Sequence, residues 1–206
     1  PLQIGIVILG TTINLSFILN INPVYIVWIS LFVLFSFFGG LIIGRALKLN
    51  SNMTILLSSG AAICGGTAMV AVAPIIKAKP SELIVSLTIV FMLNAIAIVF
   101  FPIIATYLQM GNEEFGAFAA LAIHDTSSVV GAAIQYSPES VEMASVLKLG
   151  RTLWLIPLLF VLNYKFNKNI GSSSYPKFIV FFVMAIIFNT IFNFSYETQL
   201  MLGVTS

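Results

Sequence analysis

The sequence predicts an all-α membrane protein, a polytopic helical bundle with interrupted helices. Three observations predict it. Hydrophobic residues make up 59% of the 206 and charged residues only 8%, against about 25% charged in an ordinary soluble domain. Mean hydropathy is +1.07, and the apolar residues fall into runs close to the roughly 20 residues a helical span requires. Two of those runs are spoiled internally by glycine, proline and polar side chains, which a plain span does not carry.

Seven apolar segments can be drawn along the chain. The first, about Leu2–Leu19, carries Gly5, Gly10, Thr11, Thr12 and Asn14. The second, about Val24–Leu47, follows Asn22-Pro23 and ends at Arg45 and Lys48. The third, about Thr54–Ile76, holds the stretch SSGAAICGGTAMVAVAP (Ser58–Pro74). Gly60, Gly65 and Gly66 each cost a helix about 1 kcal/mol relative to Ala, and Pro74 breaks the ladder again. The fourth, about Glu82–Met110, is long and contains Asn94 and Pro102. The fifth, about Glu113–Tyr136, holds AIHDTSSVVGAA, and the sixth, about Glu139–Phe166, contains Lys148, Arg151 and Pro157. The polar loop NKNIGSSSYPK leads to the seventh, about Phe178–Phe194.

Lysine and arginine in short loops set orientation. If every segment crosses, Arg45, Lys48, Lys165, Lys168 and Lys177 share the cytoplasmic side, where the first segment starts, and Lys77 and Lys79 face away. If the third and fifth segments are instead re-entrant, all these loop cations fall on one face. The chain opens at Pro1 without an initiator Met. The expectation is a single transmembrane domain from the middle of a longer protein, with spans missing at one or both ends.

Several function classes are excluded. A net charge of +2 without a basic patch gives no nucleic-acid surface. Cys64 stands alone, so there is no internal disulfide and no multi-cysteine metal site. A P-loop, a dinucleotide fingerprint and H-E-x-x-H are absent, and GGLIIG (Gly39–Gly44) lies inside a span. No catalytic residues, metal or organic cofactor are expected.

An interrupted helix at membrane depth survives only where protein or a watery cavity covers its freed backbone groups. Its open N-terminal end presents N–H donors with partial positive charge, which suit an anion. Cys64, Gly65, Gly66 and Thr67 are therefore candidate substrate contacts; close helix packing is the structural alternative. His124, Asp125, Thr126, Ser127 and Ser128 lie at membrane depth in the fifth segment, where ionisable groups usually face a cavity or a partner. His124 suits a proton carrier, and Asp125 with nearby hydroxyls suits Na⁺; a structural hydrogen-bond cluster is the alternative. Lys148 and Arg151 are three apart and share a helix face. Arg151 is too deep for easy snorkelling, so it requires an acidic partner, Asp125 first and Glu142 second, or an anionic ligand. Asn94, Thr11, Thr12 and Asn14 are candidate cavity-lining residues, with interhelical hydrogen bonding the expected role for each. The remaining Phe and Ile stripes are expected to face lipid.

Three stretches, ICGGTAMVAVAPIIKAK (Ile63–Lys79), AIHDTSSVVGAA (Ala122–Ala133) and KLGRTLWLIP (Lys148–Pro157), together with GIVILGTTINL (Gly5–Leu15), resemble the bacterial sulfate exporter family of membrane transporters. Gly5–Leu108 is also similar, more distantly, to the first half of bile acid/sodium symporters. These likenesses imply an inverted-repeat secondary-transporter fold with two crossed, interrupted helices, in the inner membrane of a bacterial cell. Cys64–Thr67 would be the first crossing point, with the second on the fifth segment or beyond Ser206. They also imply alternating-access export of a small inorganic or organic anion, sulfate by name, coupled to H⁺ or Na⁺. Sodium-coupled uptake of a carboxylate or bile-acid-like anion is the alternative. Outside transport stand a membrane scaffold and an intramembrane hydrolase. The bilayer and a small anion are the expected partners, with a homo-oligomer open.

Overall fold

The computed structural model describes residues 23–167 together with Phe181, Met184 and Phe188. The first and seventh apolar segments, and with them Thr11, Thr12 and Asn14, lie outside the described residues. What is described is helical and follows the segment pattern closely. Helix α1 (Pro23–Ala46) opens on a proline, which needs no N–H partner in a first turn, and carries Arg45 in its last turn. The third segment is two helices, α2 (Ser51–Ala62) and α3 (Gly66–Val72). Asn50 caps α2 by accepting the Met53 N–H at 2.8 Å.

Helix α4 (Pro80–Tyr107) runs 28 residues. Glu82 fixes its start, its Oε2 accepting the Lys79 N–H at 2.8 Å and the Asn52 side-chain amide at 3.0 Å. Pro102 sits inside α4 without ending it, and the Thr106 hydroxyl donates to the Pro102 carbonyl at 2.9 Å. The fifth segment is again two helices, α5 (Asn112–Ala122) and α6 (Thr126–Tyr136). The sixth is α7 (Ser140–Thr152) followed by α8 (Leu155–Asn167). The joint between them lies just before Pro157, which has no N–H to give to the preceding turn.

Val24–Ala46, Pro80–Tyr107 and Ser140–Phe166 are each long and apolar enough to cross a membrane. Their outward side chains match that solvent: Trp28, Phe35, Phe91, Ile103 and Val161 are exposed, Phe35 to 78%. In water such surface would be costly, whereas lipid tails are as apolar as the side chains themselves. This agrees with the expectation that the Phe and Ile stripes face lipid.

Small residues let the helices approach. A Cβ at Gly40 would stand 2.7 Å from Ser58 Oγ, and one at Gly44 would stand 2.6 Å from Thr54 Cγ2. The Gly-x-x-x-Gly ridge of α1 therefore lies directly on α2. Gly116 does the same for α5 on α7, since its Cβ would meet the Ser140 carbonyl at 2.6 Å. Around this, α4 packs on α2, α3, α5 and α6, while α7 packs on α1, α5 and α6. The fifth segment is thus held between α4 and α7, and α2 of the third segment between α1 and α4.

Candidate functional site

Both interruptions occur in the same local sequence. Ala62-Ile63 ends α2, and Ala122-Ile123 ends α5. Helix α2 stops because Ile63 leaves the helical region (φ −120, ψ −93), and the chain turns on Gly65 at φ +63, a conformation that favours glycine. Helix α5 stops because Ile123 is extended (φ −90, ψ 135). The chain restarts at Asp125, whose Oδ2 accepts the Ser128 N–H at 3.0 Å as an N-cap.

The interruptions meet. A Cβ on Gly65 would lie 3.4 Å from His124 Cβ and 3.4 Å from Val90 Cγ1. Asn94 of α4 fastens one side of the junction, its Oδ1 accepting the His124 N–H at 3.1 Å. Asn94 Nδ2 and His124 Nδ1 are buried there without a partner.

From the other side, α7 presents two cations that are both fully buried, Lys148 and Arg151 at 0% exposure. Arg151 Nε donates to the Ala62 carbonyl at 2.8 Å, and its Nη1 donates to Leu121 at 2.8 Å and Ala120 at 3.0 Å. Its Nη2 donates to Ala61. Lys148 Nζ donates to the Ile123 carbonyl at 2.7 Å and reaches Ile63 at 3.5 Å. The Phe32 ring of α1 covers the guanidinium, 5.1 Å from Cζ. Every acceptor of the pair is a last-turn or break carbonyl of α2 or α5. Such carbonyls have no intrahelical partner and carry the negative end of the helix dipole.

This corrects one expectation. The bonded partners of Arg151 are these carbonyls and not Asp125 or Glu142. The physical reason is supply: two broken helices end here, and lipid offers their carbonyls nothing. Asp125 Oδ2 is instead engaged by the Ser127 and Ser128 hydroxyls and the Ser128 N–H, all in its own turn. The Gly65 N–H donates to the Gly60 carbonyl at 2.9 Å. Cys64 is buried in the turn before α3, whose N-terminus carries no side-chain cap. Gly66 is buried against Leu87 and Phe91 of α4.

The structure therefore brings Cys64, Gly65, His124, Asp125, Lys148, Arg151 and Asn94 to one crossing. Thr126, Ser127 and Ser128 form the first turn of α6 beside it. Sequence inspection missed the carbonyls of Ala61, Ala62, Ala120 and Leu121. An Ala-Ile pair precedes each interruption, but the same pair stands inside the unbroken α4 at Ala95-Ile96 and Ala97-Ile98, so the sequence carried no distinctive signal for them. Next to Arg151, beyond Phe32, lies an apolar groove of about 440 Å³ lined by Tyr25, Trp28, Phe32, Leu121 and Leu147, among others.

A family model described as "Conserved hypothetical protein 698" matches residues 1–204. The chain is 43% identical over 190 residues to a UPF0324 membrane protein of Bacteroides thetaiotaomicron, covering 92% of this chain and 58% of that protein. It is 45% identical over 167 residues to a UPF0324 membrane protein of Porphyromonas gingivalis, covering 78% and 50%. A UPF0324 membrane protein of Shewanella oneidensis is 38% identical over 208 residues, covering 96% and 66%. The chain thus spans about half to two thirds of the length of these relatives. Their names carry no substrate, so the resemblance to sulfate exporters adds membrane location here and nothing finer. No solved structure matches the chain.

Proposed function

The chain belongs to the Conserved hypothetical protein 698 family of bacterial membrane proteins, and on that premise we propose that it forms the substrate-handling part of a secondary transporter for a small anion. The observation that carries this is the crossing itself. Two helices are interrupted at one place, Gly65 against His124, and two buried cations sit on their carbonyl ends. Transporters use discontinuous helices in this way, with the substrate between half-helix ends near the bilayer midplane. The carbonyl ends supply roughly one unit of negative charge against the two positive charges of Lys148 and Arg151, which leaves an excess positive charge at the crossing for a small anion. An inverted-repeat fold with alternating access around the crossing fits this arrangement, and sulfate is the first anion to test.

A second substrate reading, sodium-coupled uptake of an organic anion, follows from the more distant likeness of Gly5–Leu108 to bile acid/sodium symporters. Labelled-sulfate flux in proteoliposomes of the full-length protein tests the proposal, with wild type compared to Arg151→Gln and His124→Ala at two pH values. Flux in wild type, lost in Arg151→Gln, supports it. Counterflow between labelled sulfate and a carboxylate separates the two substrates. A well-folded wild type that moves neither anion removes the transport reading.

A further inference from the structure

Two charges of one sign stand side by side on α7, buried and three residues apart, against the carbonyl ends of two helices. Each helix end contributes about −0.5 of a charge, so the two together offset roughly one of the two cations. Arg151 keeps its charge under all ordinary conditions. Lys148 differs in a way its hydrogen bonds display. An ammonium has three N–H groups, and the described acceptors of Lys148 number two, the Ile123 and Ile63 carbonyls. A neutral amine has two N–H groups, so it keeps both bonds after losing a proton.

We propose that Lys148 is the coupling residue of this site: it holds a proton while an anion occupies the crossing and releases it when the anion leaves. This rests on the anion-transport reading above. With a monovalent anion bound, the anion and the two helix ends balance Arg151 and protonated Lys148. With the site empty, the helix ends balance Arg151 and neutral Lys148. The step is a simple acid dissociation: the N–H bond breaks, its electron pair stays on Nζ, and the proton passes to water on the side the anion has reached. Nothing is oxidised or reduced. A divalent anion requires one further proton, and His124 Nδ1, buried without a partner at the same crossing, is placed to accept it.

The other ionisable groups around Lys148 are Arg151 on its own helix, Cys64 at the first interruption, and Asp125 and His124 at the second. Helix α1 contributes the uncharged Phe32 ring. Asp125 is held in its own cap by Ser127 and Ser128. Lys148 and His124 are then the groups whose charge can change without loss of a described hydrogen bond, and of the two Lys148 is the one bonded to the carbonyl ends of both interrupted segments.

The test uses the full-length protein in lipid nanodiscs, with sulfate and acetate as probes. Proton uptake is followed with an indicator dye in weak buffer as anion is added, and the lysine Cε resonances are followed by NMR, with Lys148→Arg used to assign Lys148. The expected result is uptake of about one proton per acetate, with affinity falling about tenfold per pH unit on the alkaline side. The Lys148 resonance should be that of a neutral amine without anion and of an ammonium with it. Lys148→Arg should bind with affinity flat in pH and take up no proton at that site. Lys148→Gln, whose amide has two N–H groups for the same carbonyls, should bind more weakly at every pH. A Lys148 that stays charged without anion overturns the carrier while leaving an anion site intact. One that titrates but ignores both anions overturns the linkage together with the anion reading. Uptake that survives Lys148→Arg but vanishes in Asp125→Asn or His124→Gln moves the coupling to the fifth segment and ends the proposal.

Discussion

At Ile63–Gly65 the chain turns on a glycine at φ +63, whereas at Ile123–Asp125 it passes through extended backbone and restarts on a carboxylate cap. On their carbonyl side the two breaks are handled alike, by the same pair of cations from α7. On their N–H side they differ. The first has no side-chain cap on α3, while the second has a carboxylate cap with two hydroxyls around it. The shared half of this arrangement is what holds the broken helices together. The unshared half is where the two segments can take different parts in binding.

Breaking the shared half has the largest expected effect. Arg151→Gln removes the four hydrogen bonds to Ala61, Ala62, Ala120 and Leu121 and strands carbonyls that cost about 1–3 kcal/mol each when unsatisfied. A loss of about 3 kcal/mol or more is expected, read as a fall of roughly 6–12 °C in Tm by thermal unfolding in detergent. Flux should disappear with it. A variant that unfolds early yet keeps its flux would mark Arg151 as a scaffold residue only.

The first break alone is tested by Gly65→Ala. Its backbone at φ +63, ψ −116 lies in a sparsely populated region that costs about 1–3 kcal/mol for a residue with a Cβ, and the added methyl lies in contact with His124 and Val90 at 3.4 Å. A Tm lower by a few degrees is expected, with transport impaired more than stability. The second break alone is tested by Asp125→Ala, which removes the cap on α6 at a cost of about 1 kcal/mol. Asp125→Asn keeps an acceptor for the Ser128 N–H and should cost only a few tenths of that by the same measurement. Transport surviving in the Asn variant would assign Asp125 to structure, and transport lost in a stable Asn variant would assign it to ion coupling. The smallest effect is expected at Gly131 in α6, where an added Cβ meets nothing within 4 Å. Ala there should leave flux unchanged and Tm level or slightly raised, since Gly costs a helix about 1 kcal/mol.

Much of the fold was legible because the bilayer writes it in composition. The second and fourth segments match α1 and α4 to within a few residues, and the glycines around Cys64 and the polar run at His124 mark both interruptions. Less was legible at the site. Lys148 and Arg151 stood out as buried cations, but their partners are main-chain oxygens, and no residue letter announces a carbonyl that has lost its helix. Aspartate was the visible acceptor, so Asp125 was the expected partner of Arg151. The joint between α7 and α8 was hidden because proline has no single outcome. Pro157 coincides with a break in the ladder, whereas Pro102 lies inside an unbroken α4. Asn94 was a candidate cavity residue whose expected role was interhelical hydrogen bonding, and its bond to the His124 N–H is of that kind and ties it to the second break.

The cation pair lies far along the chain from what it holds. Arg151 is 90 residues from Ala61 and 31 from Ala120, and Lys148 is 85 residues from Ile63. During synthesis, both interrupted segments leave the ribosome before either cation exists. Their frayed ends must wait for α7 in the company of water or the insertion machinery, because the hydrocarbon interior would offer them no partner. Arrival of α7 then closes both breaks in one event. The two breaks are therefore completed by a helix made after both of them, and a chain stopped before Lys148 would leave the carbonyls of both without these donors.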